Sequence, residues 1–567
     1  MKRVLYFLLP IIALDINAQV NPLFIPDTLS GPAYNLNMHN DSVQFFSGNI
    51  SKTYAFNSNK YLGPTLILNK GSNVNITVNN QIADTTTVHW HGLHVPSKWD
   101  GGPHTPIAPS ANWNPQFTVM DNAATYWYHP HLHMKTAEQA IKGAAGLIIV
   151  RDAAESAITL PRKYGVDDFP LIVMVQQYDS LNQAMSLGME DSTVLVNGSR
   201  ANYGYTVVAN MPAQVVRMRL LNASGERVLN FGFSLNKQFY QIASDGGLLN
   251  SPYLTNRLRL APGERGEILM DLTGMNGQTL HLLSFGSELP MGIQGGPTMP
   301  MPFGPPMDSP LNGVDYKIMQ INVGPQTANP VTTIPSTLVS NAAYPTSQAN
   351  ITRTIRFTAD SAMVMDGPFY FNDSTYKMER IDYEIPINNI EIWKLVNETM
   401  VAHPFHIHDV QFYVIDRNGN PPGPEESGRK DVVLVPPGDS LMFITRFEDF
   451  TDSVIPYMYH CHILMHEDDG MMGQFLVKTS VSGIKKNIAG SDFITLFPNP
   501  STDKVKIKST YTEVSKIKLT VYDEIGRCVY DVAGSLSEID VSGWNKGFYT
   551  VIISSGQNKT YQKLVIR

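Results

Sequence analysis

Short runs of alternating hydrophobic and polar residues, separated by Gly, Pro and Asn, occur along most of the chain. Residues 71–78 and 215–221 are two examples, and both are rich in β-branched or aliphatic side chains. Alternation with a period of two predicts strands that bury one face, and many short strands between turn residues are typical of β-sandwiches. The pattern therefore predicts an all-β protein.

Changes in this pattern divide the chain into four predicted domains. The polar stretches at 324–348 and 483–492 carry no strand pattern and are interpreted as linkers. We predict three large β-sandwich domains and one small C-terminal β-sandwich, at residues 20–152, 165–323, 350–480 and 492–567.

The first residues predict export. Met1, Lys2 and Arg3 precede an apolar run at 4–14, which is followed by small residues near 17–19. This order is typical of a signal peptide, here residues 1–19. The alternative, a membrane anchor, is disfavoured because the apolar run at 4–14 is much shorter than the ~20 apolar residues that a membrane-spanning helix needs. No other segment of the sequence is long and apolar enough to span a bilayer.

The composition agrees with several packed domains. A chain of 567 residues with 43% hydrophobic and 16% charged residues is long enough for a sizeable core. The net charge of -8, without a long basic run, gives no electrostatic footprint for nucleic acid, so no nucleic-acid partner is expected. The two cysteines, Cys461 and Cys528, argue against a disulfide framework.

The stretch His460-Cys461-His462, followed by His466 and Met471, brings a thiol, three imidazoles and a thioether close together in the sequence. Two His and one Cys with a weak axial Met form a blue copper site, whose soft sulfur ligands favour Cu(I). On a strand, alternate side chains face opposite sides, so Cys461 would face away from His460 and His462. A second metal centre on the other face is therefore predicted.

Three further histidine clusters can supply that second centre. Each contains two His separated by one residue, which at strand spacing present two imidazoles on one face. A lone His is usually a hydrogen-bonded core or surface residue, but four clusters, one of them with a Cys, favour metal ligation. The three clusters are His89 with His91, His129 with His131, and His403 with His406 and His408.

In their order and spacing, the four motifs resemble those of the multicopper oxidases, a laccase-like family with three cupredoxin-like Greek-key domains. The likeness extends over about residues 35–477 and implies four copper ions per chain, with every ligand position filled. The implied type 1 ligands are His403, Cys461, His466 and Met471, where Met471 is preferred over Met472 by its distance from Cys461 in the family pattern. The implied type 2 ligands are His89 and His406, and the implied type 3 ligands are His91, His129, His131, His408, His460 and His462.

The resemblance implies an enzyme with O₂ and a small reducing substrate as its partners. Single electrons from the substrate would enter at the type 1 copper, and the trinuclear centre would reduce O₂ to water. Cys461 and its neighbours His460 and His462 would connect the two centres through the backbone. Asp100 and Glu467 match acidic positions of the family near the trinuclear centre, and we interpret them as proton donors or as residues that orient a ligand.

The substrate stays open between two classes. Phenols, aromatic amines and similar one-electron donors are favoured, because the stretch around 363–366 is short where cuprous oxidases of the family carry a long Met- and His-rich insertion. The loop 289–308 contains Met291, Met299, Met301 and Met307, and it keeps oxidation of Cu(I), Fe(II) or Mn(II) as the alternative, although we interpret it as a loop or packing segment.

Two further points stay open in the sequence. A non-enzymatic copper or electron-transfer protein is the third reading of the whole chain. Asp409 follows His408, where many members of the family have a small or apolar residue, and either a surface role or an effect on the copper site fits it equally well.

Residues 492–567 resemble the C-terminal sorting domain of type IX secretion cargo. They begin with the motif LFPNPS at 496–501 and end in a β-rich segment. An ordinary appended β-sandwich, such as a carbohydrate-binding module, is the alternative. The resemblance implies export through the periplasm to the cell surface or the medium, with the secretion machinery as a partner and no catalytic residue in this domain.

Overall fold

The structure is a computed structural model in two compact units, Met1–Thr479 and Ser480–Arg567. It describes residues 19–186, 190–298, 309–361, 364, 367–479, 494–509, 517–534, 538–555 and 558–567. Residues 1–18 of the predicted signal peptide, the predicted linker 483–492, and Met299, Met301, Met307, Met363 and Met365 lie outside these residues. Within the described part of the chain, the helices are all too short or too polar to cross a membrane.

The first sandwich consists of two sheets that pack face to face. One sheet has the order β2-β5-β11-β10-β7, and the other has the order β4-β3-β6-β8 with β9 beside β6. Leu36, Ile76, Trp90 and Ile148 are buried between them. The strands β1 to β11 are Gln19–Pro22, Thr28–Ser30, Ala33–Val43, Ser51–Phe56, Thr65–Asn69, Asn73–Asn80, His89–His91, Asn112–Trp113, Gln116–Thr118, Ala124–His129 and Gly146–Arg151, and the helices are α1 (Thr136–Ile141) and α2 (Ala153–Ser156).

The middle sandwich also has two sheets, β1-β16-β24-β23-β18-β21 and β15-β14-β12-β17-β22-β19-β20, with β13 beside β12. Strand β1 therefore belongs to this sandwich, although it precedes the first sandwich in the sequence. The strands β12 to β24 are Asp168–Tyr178, Ala184–Met185, Thr193–Val196, Ser199–Arg200, Tyr205–Pro212, Val215–Asn222, Leu229–Phe233, Phe239–Ser244, Gly247–Thr255, Leu258–Leu260, Arg265–Asp271, Thr279–Phe285 and Asp315–Gly324.

The third sandwich is formed by the sheets β26-β25-β28-β32-β30 and β27-β34-β33-β29-β31. Its core is aromatic and includes Trp393, Phe405 and Phe443 together with Cys461. The strands β25 to β34 are Ile351–Ala359, Phe369–Phe371, Tyr383–Pro386, Ile390–Asn397, His403–Ile407, Tyr413–Arg417, Val432–Val435, Ser440–Arg446, Tyr457–Cys461 and Met472–Lys478, and α3 is Leu464–Asp468. Short 3₁₀ helices lie at Ser97–Trp99, Ser234–Asn236, Gly286–Glu288, Thr346–Gln348 and Pro424–Glu426.

The second unit is a small β-sandwich of the sheets β35-β36-β39 and β38-β37-β40-β41. Val505, Val521, Val551 and Leu564 are buried in its core. The prediction of an all-β protein with a small C-terminal sandwich is thus confirmed. The strands β35 to β41 are Ile494–Phe497, Lys504–Ser509, Ile517–Tyr522, Cys528–Ala533, Glu538–Asp540, Gly547–Ser555 and Asn558–Ile566.

A buried ion network joins the first and middle sandwiches. Arg219 on β17 donates to Asp168 Oδ1 at 2.7 Å, to Glu267 Oε1 at 2.7 Å and to Thr125 Oγ1 at 2.9 Å. Each of these side chains is almost fully buried. A buried charge is tolerated when it is paired and its hydrogen bonds are made, so this network holds the two sandwiches in one orientation.

Candidate metal centres

The register of two neighbouring strands sorts the predicted ligands onto two faces of one sheet. Phe405 on β29 lies opposite Cys461 on β33, and His406 lies opposite His460. Residues directly opposite each other in an antiparallel pair share a face, and neighbouring residues point to opposite faces. Cys461 therefore faces the core of the third sandwich, while His406 and His460 face outward, as the spacing predicts.

Cys461 lies between two imidazoles in a group that we call the cysteine site. Its Sγ is 3.5 Å from Nδ1 of His403 and 3.6 Å from Nδ1 of His466, which lies on the short helix α3. Met471 is fully buried in the same core cluster as Cys461. Met472 instead lies opposite His460 and packs against other residues. Of the two methionines, Met471 is the one that shares the core with the thiol.

The other eight predicted ligand histidines lie together in a second group, the histidine site. Two triads correspond to the six implied type 3 ligands, and in each triad the nitrogen atoms lie within 4.8 Å of one another. The remaining two, His89 and His406, form a further group with His91. All eight are buried. The two triads are His91, His129 and His462, and His131, His408 and His460.

The histidine site lies between the first and third sandwiches. The ring of His89 stacks on that of His408 at 3.8 Å, and His91 stacks on His406 at 3.8 Å. Each stacked pair joins one ring from the first sandwich to one from the third. The other five histidines, His39, His94, His104, His133 and His281, belong to none of the metal-sized groups found among the described residues.

The donors of both sites fit a bound copper ion. Nε2 of His89, His406 and His460 and both ring nitrogens of His462 are buried without a hydrogen-bond partner among the described residues. A buried polar atom without a partner costs about 1–3 kcal/mol, so several in one place point to a ligand that satisfies them. A thiol between imidazoles is the donor set that copper prefers.

The protonation states agree with metal binding. Burial, together with the neighbouring imidazoles, lowers the pKa of five of these rings well below the ordinary value, so that they are neutral at pH 7. Neutral imidazole is the form that binds a metal ion. Burial raises the pKa of the Cys461 thiol, so a thiolate there requires a bound cation. The five rings are those of His91, His129, His131, His406 and His460.

Asp100 is buried against the histidine site and is not a solvated surface acid. Its Oδ2 accepts a hydrogen bond from Nδ1 of His408 at 2.7 Å, and its backbone oxygen accepts one from Nδ1 of His89 at 2.8 Å. Burial opposes its ionisation, but His408 and His89 together hold its pKa below the ordinary range. Asp100 thus fixes the orientation of two rings at once.

Glu467 is also buried at the histidine site. Its Oε1 lies 3.3 Å from Nδ1 of His131, and its Oε2 lies 3.2 Å from Nδ1 of His460. Burial raises its pKa well above the ordinary value, which favours the protonated carboxyl. It therefore stands between one ring of the first sandwich and one of the third.

Two residues at the histidine site were missed by the sequence analysis. Asp431 accepts a hydrogen bond from Nε2 of His91 at 3.1 Å, and the ring of Trp127 lies 4.1 Å from that of His129. The charged residues that directly precede the hydrophobic strand β31 were the one visible signal for Asp431. Its partner Arg265 is 166 positions away, so no local pattern connects the two.

Asp409 is buried and contacts the first sandwich. Its Oδ1 lies 2.8 Å from Nδ1 of His94, whose Nε2 lies 3.2 Å from Asp449 Oδ2. The surface role for Asp409 is therefore wrong. The contact adds an ion pair between the first and third sandwiches beside the histidine site.

The fold and the two sites define a protein of the cupredoxin class. Comparison with known families gives the same result at a finer level. Residues 38–155, 172–279 and 344–481 match the family models described as Multicopper oxidase, and residues 495–567 match the Secretion system C-terminal sorting domain.

The chain belongs to the multicopper oxidase family. The multicopper oxidase mco of Staphylococcus haemolyticus is 33% identical over 456 residues, which cover 78% of this chain and 88% of that protein. The cell division protein FtsP of Sodalis glossinidius is 31% identical over 444 residues, 77% of this chain and 88% of that protein. Both the family and the sorting domain were predicted from the sequence and are confirmed.

A solved structure supports the same assignment. The laccase-like multicopper oxidase CueO of Ochrobactrum sp. is 30% identical with a TM-score of 0.70, and the match covers 81% of this chain and all of that one. The cupredoxin-like fold predicted for the first unit is thereby confirmed.

Proposed function

We propose that the protein is an exported multicopper oxidase of laccase type, which couples one-electron oxidation of phenols or similar small donors to the reduction of O₂ to water. One observation carries this proposal. Cys461 belongs to the cysteine site, while His460 and His462, its neighbours in the chain, belong to the histidine site. A donor site and an acceptor site thus share three consecutive residues.

Four copper ions per chain are proposed, one in the cysteine site and three in the histidine site. Bound copper supplies the one-electron chemistry and the reduction of O₂. His403, Cys461, His466 and Met471 would hold one copper ion, which would supply one-electron chemistry beside the third-sandwich core. The imidazoles of the histidine site would hold the other three, and the burial of these rings excludes bulk water.

The two buried acids, Asp100 and Glu467, are proposed to transfer protons or to orient ligand rings at the histidine site. Asp100 accepts from His408 and His89, and it is proposed as a proton donor or as the residue that holds these rings in place. Burial raises the pKa of Glu467 and so favours its protonated form, and the carboxyl lies between His131 and His460, where it can donate a proton.

Copper content and O₂ uptake test the proposal together. The purified protein is loaded with copper and analysed by elemental analysis, visible absorption and an oxygen electrode with phenols, Cu(I), Fe(II) and Mn(II) as donors. We expect four copper ions per chain, a blue absorption band and O₂ uptake with phenols. A blue protein with a single copper and no O₂ uptake would instead be an electron-transfer cupredoxin. One relative carries the name of a cell division protein, so this measurement comes before any assignment of substrate.

The solved relative gives the phenol class further support. The Ochrobactrum protein is described as having oxidase activity towards lignin model compounds and lignosulfonate. Such compounds are sources of phenolic donors. The panel therefore includes a lignin-type phenol beside simple phenols.

Metal oxidation is the second candidate, and a small cavity beside α3 favours it. The cavity has a volume of about 20 Å³ and is lined by Met185, Glu226 and Met465, the last of which precedes His466. This volume suits one ion or one water molecule. Thioethers bind Cu(I), and carboxylates suit harder ions. O₂ uptake that occurs with metal ions alone, and that falls in Glu226→Gln, would establish this function in place of the first.

The C-terminal unit is proposed to act as the sorting signal for export. The match to a secretion system sorting domain supports passage through the periplasm and release at the cell surface or into the medium. Fractionation of cells that produce the full chain or a form ending at Thr479 tests it. We expect the shortened form to stay in the periplasm, and its release into the medium would contradict the proposal.

A further inference from the structure

A loop of the middle sandwich lies directly against the histidine site, although this sandwich contributes none of the twelve predicted ligands. The loop joins β21 to β22 and contains Gly263, whose φ of +84° favours glycine. A Cβ at this position would lie 2.7 Å from Cδ2 of His462. The loop and the ring are thus in close contact, and only a residue without a side chain fits between them.

Arg265 follows this loop, and all of its side-chain donors are used. Nε donates to the backbone oxygen of Thr125 at 3.1 Å, and Nη1 and Nη2 donate to the backbone oxygens of Gly263 and Asp245, each at 3.1 Å. Nη1 and Nη2 also donate to Oδ1 and Oδ2 of Asp431 at 2.5 and 2.6 Å. One buried guanidinium therefore binds the first, middle and third sandwiches.

Asp431 passes this constraint to two rings of the histidine site. Its Oδ1 accepts from Nε2 of His91 at 3.1 Å, and its backbone oxygen accepts from Nδ1 of His406 at 2.8 Å. A neutral imidazole has one N–H, so each ring then presents its other nitrogen as the basic one. Nδ1 of His91 lies 3.3 Å from Nε2 of His129, and Nε2 of His406 has no partner among the described residues.

The space around Gly92 shows how closely Asp431 and Arg265 are packed against the first sandwich. A Cβ at this residue, directly after His91, would lie 2.5 Å from Asp431 Oδ2 and 2.7 Å from Arg265 Nη2. Its φ of +88° also favours glycine. The carboxylate and the guanidinium therefore occupy a space that no side chain at residue 92 can enter.

We propose that Arg265 is a positioning residue of the oxidase, which acts through Asp431 to fix the ring nitrogens that His91 and His406 present to copper. The inference rests on the proposed copper function of the histidine site. A planar guanidinium fork holds both carboxylate oxygens at once, and a lysine ammonium is a single point charge that leaves the carboxylate free to rotate. The middle sandwich is in this way part of the oxygen-reducing centre.

Arg265→Lys tests the inference in the full-length, copper-loaded protein. We expect copper affinity at the histidine site, measured by competition with a chelator, or kcat to fall about 10- to 100-fold, the range typical of partners that orient metal ligands. The EPR hyperfine splitting of the type 2 copper should change. The blue absorption of the cysteine site should not, because Arg265 has no contact there.

Arg219→Lys is the matched control. Arg219 is also a buried arginine of the middle sandwich with carboxylate partners, and it binds Asp168 and Glu267 instead of Asp431. We expect this variant to lower the thermal midpoint while copper affinity and the type 2 EPR signal stay at wild-type values. The same spectroscopic change in both variants would mean that general loosening is the cause, and it would overturn the inference.

Asp431→Asn keeps the test decisive if the lysine variant does not fold. The amide has the size of the carboxylate, but its NH₂ group faces a donor of Arg265 and breaks the fork. The same selective change is expected. Full copper content with wild-type EPR and kcat in either folded variant would overturn the inference. A wild-type protein without copper in the histidine site would instead overturn the proposed function itself.

Discussion

The cysteine site and the histidine site differ in how much of the molecule is needed to build them. Every residue of the cysteine site comes from the third sandwich, and Cys461 and Met471 lie within its aromatic core. The histidine site takes four rings from the first sandwich and four from the third, and Arg265 of the middle sandwich holds Asp431 beside them. The cysteine site depends on packing within one sandwich, and the histidine site depends on the assembly of three. A substitution should therefore be able to impair copper binding at one site and leave the other intact.

The largest expected effect is that of Cys461→Ser, which removes the soft donor of the cysteine site. We expect the blue absorption to disappear and O₂ uptake to fall to background, because electrons no longer enter. The histidine site should keep its copper, so elemental analysis should give one copper fewer per chain. Loss of all copper would show that the two sites are not independent.

His408→Gln reverses the comparison by damaging the histidine site. The ring of His408 stacks on that of His89, and its hydrogen bond to Asp100 fixes its orientation. We expect O₂ uptake to be lost by more than the about 10- to 100-fold typical of an outer partner, while the blue band stays at full strength. Anaerobic reduction of the blue band by a phenol should proceed at the wild-type rate, and a slower reduction would contradict the separation.

Asp100→Asn should have a smaller effect of the same kind. The amide is a weaker acceptor for His408 and cannot take up and pass on a proton as the carboxylate can, so we expect O₂ reduction to fall about 10- to 100-fold with the blue band unchanged. Asp121→Asn is the matched control, since Asp121 is a buried acid that accepts from the backbone of His94 and lies outside the histidine site. Unchanged O₂ reduction in Asp100→Asn would remove the proton-donor role.

Raising the pH should weaken the ion pair between His94 and Asp409, which joins the first and third sandwiches beside the histidine site. Burial opposes its charge, but Asp409, Asp121 and Asp449 raise the pKa of His94 to about 10. A folded-state pKa above the unfolded value of about 6.5 means that the stabilisation is complete below pH 6.5 and is lost as the pH rises to about 10. The thermal midpoint of the wild type should fall over this range more than that of His94→Gln. Equal pH dependence in both would contradict the role of His94.

Met471→Leu is the mildest of the changes, because leucine has nearly the same volume as methionine. We expect a loss of less than about 1.5 kcal/mol in the free energy of unfolding. The reduction potential of the blue copper should rise, because a weak donor to the oxidised ion is removed. Met472→Leu is the control and should leave the potential unchanged. An equal shift in both variants would assign the axial role to neither residue.

The sequence predicted the parts of the sites that depend on local spacing. Alternation along a strand was enough to place Cys461 and His460 on opposite faces, whereas the preference for Met471 came from the resemblance to the family, through its distance from Cys461 in the family pattern. Asp431 and Arg265 were not predicted, because their pairing depends on how a middle-sandwich loop meets the third sandwich. Asp409 was left undecided for the same reason, since its partner His94 is far away in the sequence. Contacts across domain interfaces leave no periodic pattern in a single chain.

The stacked rings have one more consequence. His89 pairs with His408 and His91 with His406, while His131 lies 4.6 Å from His460 and His129 lies 5.5 Å from His462. In every case the earlier residue of one motif meets the later residue of the other, which is the reciprocal pattern of a two-fold symmetric dimer interface. The eight rings are therefore arranged reciprocally, as two matching halves of one site, and each sandwich supplies one half.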